Sequence, residues 1–280
     1  MHEASGSHWL DHLTRKRPEE ARQGLGFVEF CERFEAVELW IDPDPNAQLQ
    51  MIWLLDHLRP HANVTSRLAL VQSDTQIGAH SPQELPKGRL QAVPICNDHL
   101  ETASVAWRAY REPTPQAWCD LLSQDLSVLP QLRQTVLELL EELPMDATGL
   151  GATEMRMLEL ISVGGTRPFD VFPGQGKLNE RRVFGYWEVG LLLDGLARAT
   201  APAVSDLEEG PFTIEMHENP HRHEQYRQSN LKLTALGQAV LARTEDFSRH
   251  NPVRRWWGGC ELINDRLWRW NPQNHALVAP

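Results

Sequence analysis

The chain has 280 residues, with 27 Lys or Arg against 38 Asp or Glu, a formal net charge of −11. That length suits two domains and a core burying roughly three quarters of the unfolded surface, while the acidic balance repels a phosphate backbone unless a local basic face overrides it. No window reaches the roughly eighteen consecutive apolar residues of a membrane span, and the opening MHEASGSHWLDHLTRKRPEE lacks the basic-then-apolar order of a signal peptide. A soluble, cytoplasmic protein with no membrane partner is expected.

In chain order, RPEEARQGLGFVEFCERFEAVELWID reads as a helix with Phe27, Cys31 and Phe34 on one face, followed by a short strand from Val37 to Ile41. The strand stops at DPDPNAQ, where two prolines forbid continued pairing. AQLQMIWLLDHLRP predicts a helix that buries Leu49, Ile52, Trp53 and Leu55 and ends at Pro60, and SRLALVQS predicts a second strand. Strand, acidic loop, helix, strand is the βαβ grammar of a parallel sheet. HLETASVAWRAYREP predicts a helix with Ala103, Ala106, Trp107 and Tyr110 at helical spacing, and TPQAWCDLLSQD a shorter one. LPQLRQTVLELLEELP is the clearest helix, with Leu132, Val136, Leu139, Leu140 and Leu143 in one stripe. Its last turn carries Glu138, Glu141 and Glu142 against the helix dipole, a cost of about a few tenths of a kcal/mol each. Nothing in the sequence explains that choice.

PMDATGLG, residues 144–151, is the best boundary, dividing an α/β domain with a helical extension (1–146) from a second domain (147–280). GATEMRMLELISVGG then predicts a helix with Gly151 as N-cap, Glu154 reaching back, and Met155, Leu158 and Ile161 inward. RPFDVFPG predicts a short turn or helix, and NERRVFGYWEVGLLLDGLARAT a longer third helix with Val183, Trp187, Leu191 and Leu192 inward. GPFTIEMHE and SNLKLT are expected to pair as strands around the loop NPHRHEQYRQ, and TALGQAVLAR to close the domain as a helix. That order is the order of a winged helix-turn-helix. The fold class is therefore α/β plus α: a βαβ-containing N-terminal domain, a helical linker, and a winged-helix-like domain with a C-terminal β-hairpin.

The most site-like stretch is WIDPDPNAQ, because open α/β sheets bind ligands beyond the carboxyl ends of their strands. Asp42 and Asp44, two apart in extended backbone, can face one metal or one phosphate-bound Mg²⁺, with Gln48 beside them. The alternative is a proline-stiffened turn with Asp44 or Asn46 capping the next helix. Nucleic-acid contact would fall to Arg181 and Arg182 at the start of the third helix and to Arg222 and Arg227 in the wing, but Glu180, Glu188, Asp194, Glu218 and Glu224 share those elements. His217, His221 and His223 invite a metal reading that an exposed loop supports poorly, so no metal site is assigned. PGQGK and GLGATE fail the phosphate-loop and dinucleotide patterns. No nucleophile elbow or HExxH helix occurs, and no cysteine has an assignable histidine partner. Cys31, Cys96, Cys119 and Cys260 lack paired spacing and are expected to be reduced, packed thiols.

Several strings together, VELWIDPDPNAQLQ, AWRAYREPTP, LPMDATGLGATEMRML, LTALGQAVLARTEDF and RRWWGGCELINDRLWRW, resemble the bacterial family known as domain of unknown function 1835, over about Val37 to Val278. The resemblance implies a winged-helix-like C-terminal half and no assigned activity or cofactor. Members carry an Asn-Gly-Asp-Ser strand end and a His-Glu-Gly-Pro loop, of which this chain matches only His2 and Glu3, so the family's first strand is expected to be missing. Where members read Trp-Phe-Glu-His-Asp, this chain keeps Trp40, Asp44 and Gln48 but has Pro43 and Ala47, which implies an altered polar cluster.

These readings make the leading expectation a non-catalytic protein that senses a small phosphorylated ligand near Asp42, Asp44 and Gln48, or contacts a protein partner or a second copy of itself. The rivals are a metal-assisted phosphoester or nucleotide hydrolase using the same aspartates and a winged-helix transcription regulator. In the tryptophan-rich RRWWGGCELINDRLWRW, GGCELI and RLWRW are expected to form a hairpin about Asn264 and Asp265. Trp268 and Trp270 would then share a buried face, leaving Arg254, Arg255, Arg266 and Arg269 as the cations of a nucleic-acid platform, the opposing reading.

Overall fold

The structure is a computed structural model, and it describes residues 26–77, 90–172 and 183–280. It is a mixed α/β molecule. A short helix α1 (Phe27–Cys31) leads to strand β1 (Val37–Ile41), helix α2 (Pro45–Leu58), a single turn α3 (Ala62–Thr65) and strand β2 (Leu68–Gln72). β1 and β2 pair in parallel, Val37 opposite Leu68 and Ile41 opposite Gln72, so the expected βαβ unit forms. The two-residue strand β3 (Val93–Pro94) adds antiparallel to β2, giving the order β1-β2-β3.

Helix α2 starts because Asp44 accepts from the backbone N–H groups of Asn46 and Ala47, both at 3.1 Å, with Pro45 in the first helical position, where a missing N–H costs nothing. It buries Met51, Ile52, Leu55 and Leu58. Trp53, expected inward, instead lies on the outer face, 47% exposed, with its ring stacked on His57 one turn on. Met51 takes the inward place. α2 packs on α4 (Asn97–Tyr110) through the small side chains Ala103 and Ala106, which admit close approach. Then come α5 (Gln116–Asp120) and α6 (Leu132–Glu141), and the whole stripe Leu132, Val136, Leu139, Leu140 and Leu143 is buried as expected.

A second hydrophobic cluster is built from α7 (Ala152–Ser162), α8 (Tyr186–Arg198), strand β4 (Val204–Ser205), the short helices α9 (Ile214–Glu218) and α10 (Pro220–Gln228), strand β5 (Lys232–Leu233) and helix α11 (Ala235–Leu241). The capping box at Gly151 forms, Glu154 accepting from the Gly151 N–H at 2.9 Å. The strand expected in GPFTIEMHE does not form. Thr213 accepts from the Met216 N–H, and Asn219 from the N–H groups of His221 and Arg222 ahead of Pro220, so both stretches start helices. Asn-Pro here is an N-cap followed by a first-turn proline rather than a loop signal. The ribbon is instead β4 with β5, Val204 opposite Leu233. In α8 the buried face is Val189, Gly190, Leu193 and Leu196, while the expected Trp187 and Leu191 are largely exposed. The face is set by Gly190, where an added Cβ would lie 2.1 Å from the ring of Phe212.

After the turn α12 (Phe247–His250) the chain returns to the first cluster. Strands β6 (Arg254–Trp257) and β7 (Cys260–Ile263) form an antiparallel hairpin that turns at Gly258 and Gly259, not at Asn264 and Asp265. Gly258 has φ +53°, and a Cβ on Gly259 would meet the Arg111 carbonyl at 2.0 Å, so both positions need glycine. Residues 264–266 are a 3₁₀ turn, and β8 (Arg269–Asn271) pairs with β9 (Ala276–Val278). Trp257 and Trp270 are buried in the first cluster, Trp268 is half-buried, and Trp256 is 69% exposed. Trp268 and Trp270 thus differ in burial because the strand begins only at Arg269, and Leu267 fills the second inward place. The Trp257 indole donates to the Leu139 carbonyl at 2.8 Å and its ring stands edge-on to Tyr110 and Trp118. Residues up to Leu143 lie in the first cluster and Leu150 opens the second, while the tail from Val253 onward packs back into the first.

Candidate functional site

The sequence-predicted loop closes on itself. The Gln48 side chain is fully buried, its amide donating to the Asp42 carbonyl at 2.8 Å and its oxygen accepting from Gln72 at 3.2 Å. Asp42 accepts from the Ile77 N–H at 2.6 Å, and Asp44 is spent on the α2 cap. Among the described residues no group of three or more metal-ligand side chains converges. What the loop does offer outward is Asn46, whose amide donates to the Val183 carbonyl at 2.8 Å, and Leu49; both line a cavity.

That cavity, about 460 Å³, and a second of about 790 Å³ lie along the seam between the two clusters and share Leu191, Leu192 and Arg255 as wall. The outward face of α8, read from the sequence as core, is therefore the cleft wall. The larger cleft adds Phe247 and Val253 as apolar surface and Arg198 and Arg254 as cations. Arg198 is matched by Asp194 at 3.2 Å and Arg255 by Glu154 at 3.0 Å, whereas Arg254, highly exposed, meets Glu261 only at 3.5 Å. It is the cleft cation with the weakest local partner.

Three elements meet at the floor of the seam. Glu142, just past α6, accepts from the Thr153 hydroxyl at 2.5 Å and from the Thr153 N–H at 3.2 Å, at the first turn of α7. Arg255 of β6 donates to the Glu154 carboxylate at 3.0 Å and to the Glu142 carbonyl at 3.2 Å. This accounts for one of the acidic residues at the end of α6: Glu142 faces the positive end of α7 rather than the negative end of its own helix. Burial pushes its carboxyl up to about 7, against the pull of Thr153 and Arg255. A parallel knot holds the tail, where Arg269 pairs with buried Asp246 at 2.9 Å and donates to the Met145 carbonyl at 3.2 Å.

The cations expected for nucleic acid are otherwise engaged. Arg222 pairs with Glu209 at 2.9 Å and holds that carboxyl down at about 2, Arg227 pairs with Glu224 at 3.0 Å, and Arg254, Arg255, Arg266 and Arg269 each have a carboxylate within 4.0 Å. Arg181 and Arg182 lie outside the described residues. His217 and His223 sit 4.4 Å apart by ring centroid, within an aromatic cluster of Phe169, Tyr186, Trp187 and Phe212, and His221 is exposed.

One pairing escaped the sequence. Cys31 and Cys260 are buried and Cys119 partly so, but Cys96 is exposed, with its sulfur 3.0 Å from His99 Nδ1. The readable signal was the three-residue spacing in CNDH, the N-cap to N3 spacing of a helix start. Comparison with family models, curated protein sequences and solved structures finds no match. No helix among the described residues is long and apolar enough to cross a membrane.

Proposed function

We propose that this chain is a non-catalytic ligand-sensing protein whose ligand is a small organic anion, phosphorylated or carboxylated, with an apolar body. The observation that carries the reading is the 790 Å³ cleft along the seam, where Leu191, Leu192, Phe247 and Val253 give apolar surface and exposed Arg254 is only loosely paired with Glu261, beside the matched pairs Arg198–Asp194 and Arg255–Glu154. The ligand belongs there rather than at Asp42, Asp44 and Gln48, whose polar atoms are engaged within the fold. Because α8 belongs to one cluster and β6 to the other, a ligand in the cleft would be differentially bound by arrangements of the two, which is what sensing requires. The metal-assisted hydrolase finds less support, since Asp42 and Asp44 are engaged within the fold, and so does the transcription regulator at Arg222 and Arg227, which pair with Glu209 and Glu224. The winged-helix character of the second half, and kinship with the domain of unknown function 1835 family, remain part of this proposal on the quoted strings alone, since two helices stand where the wing was expected.

The test is a thermal-shift panel of nucleotides and phosphorylated or carboxylated metabolites. A rise in melting temperature that Leu191→Trp abolishes supports the reading, because Leu191 is 52% exposed on the cleft wall and a larger ring there fills the space without entering the core. A panel without any shift overturns it.

A further inference from the structure

The smaller cavity, about 460 Å³, is of a size that holds a small molecule, and its lining differs in kind from that of the larger cleft. Tyr110 at the end of α4, Phe184 ahead of α8, and Trp256 and Trp257 of β6 bring four aromatic residues to its wall. Tyr110 and Trp257 stand edge-on to each other, ring centroids 5.6 Å apart. Trp256 is 69% exposed and Phe184 half-buried, so aromatic surface is left open to a guest. Three charged side chains share the wall, and two of them are matched. Arg255 is held by Glu154 at 3.0 Å and by the Glu142 carbonyl at 3.2 Å, and the Glu142 carboxyl accepts from Thr153 with both oxygens. Glu188 differs. Its Oε2 accepts from the Gly185 N–H at 2.7 Å, the cap of α8, and among the described residues it has no ion-pair partner. Burial pushes the Tyr110 hydroxyl up, against a hydrogen bond from the Gly258 backbone, and the nearby Glu188 carboxylate adds to the rise.

The unmatched charge of this cavity is therefore negative, in a chain whose net charge of −11 attracts cations. A metal ion would need several oxygen or nitrogen ligands, and among the described residues no such group converges. A weakly hydrated organic cation needs none of these, because it exchanges water for ring faces and one carboxylate. The geometry points to a binding site for a small alkylated ammonium ion in this cavity, with its alkyl groups against Phe184, Trp256 and Trp257 and its charge answered by Glu188. The site is separate from the one assigned to an organic anion: the two share only Leu191, Leu192 and Arg255, and neither Glu188 nor the four aromatic residues line the larger cleft.

The experiment is isothermal titration calorimetry of the full chain with choline and with 3,3-dimethylbutan-1-ol, an uncharged compound of the same shape. Choline is expected to bind, and the alcohol to bind about five-fold or more weakly, since it keeps the apolar contact and lacks the charge. Glu188→Gln, whose amide oxygen still caps α8, and Phe184→Leu, which keeps apolar bulk without a ring, are each expected to weaken choline by about five-fold. Arg254→Ala, which touches only the larger cleft, is expected to leave choline binding unchanged, so this site and the anion site fail separately. No choline binding, equal affinity for the two compounds, or wild-type affinity in either variant at an unaltered melting temperature overturns the proposal. Should both variants melt early, the choline and alcohol affinities of the wild type decide alone.

Discussion

Glu142→Gln isolates a carboxyl buried at the floor of the seam. The folded protein holds this group at about 7 against an ordinary 4.5, so between those values the folded state keeps a proton that the unfolded chain has lost. Its contribution is fully present below pH 4.5 and is lost as the pH rises through about 7, a displacement worth about 3 kcal/mol. The side chain is only 6% exposed, so solvent screens little of this. Glutamine is neutral throughout and keeps an oxygen for Thr153. Urea melts of wild type and variant at pH 5 and pH 8 cancel every other titrating group in the comparison. The stability of the variant relative to wild type is expected to grow by roughly 2 to 3 kcal/mol over that interval. A difference constant within about 0.5 kcal/mol, the scatter ordinary for surface changes, would refute the buried-carboxyl account.

Trp270→Ala should destabilise the fold by about 3 to 5 kcal/mol in denaturant melts, since the ring is wholly buried in the first cluster, whereas Trp256→Ala at 69% exposure should stay within about 0.5 kcal/mol. Asp44→Ala should cost about 1 kcal/mol of stability through the lost cap of α2, and Asp44→Asn much less, because the amide oxygen still accepts; equal losses in the two melts would point to a role beyond capping. Gly259→Ala should destabilise the hairpin by several kcal/mol, measured by thermal melting, because its Cβ would meet the Arg111 carbonyl at 2.0 Å.

Periodicity located the βαβ unit, the α6 stripe and the capping box at Gly151, because each is a local pattern that burial then reinforces. It failed on α8, where Leu191, Leu192 and Leu193 run consecutively and hydrophobicity alone cannot say which face is inward; the distant Phe212 chooses by lying on Gly190. The expected wing failed because Thr213 was read as a strand residue and Asn219 as a loop residue when each caps a helix. The tail's destination was equally hidden. Arginines interleaved with tryptophans look like a cationic surface until Glu142, Glu154 and Asp246, more than 20 residues away or from another element, are seen to take Arg255 and Arg269. For the candidate site, the sequence singled out side chains that close the loop before α2, and the cleft was invisible because its walls come from segments far apart in the chain.

The most direct test of ligand sensing at the seam is a melting-temperature titration of the full chain with phenyl phosphate, a small anion with an apolar ring. Occupancy at about one hundred times its dissociation constant should stabilise the wild type by about 3 kcal/mol, with the rise reduced in Arg254→Ala and absent in Leu191→Trp. No rise in the wild type, or the same rise in Leu191→Trp, would contradict a ligand site in the cleft.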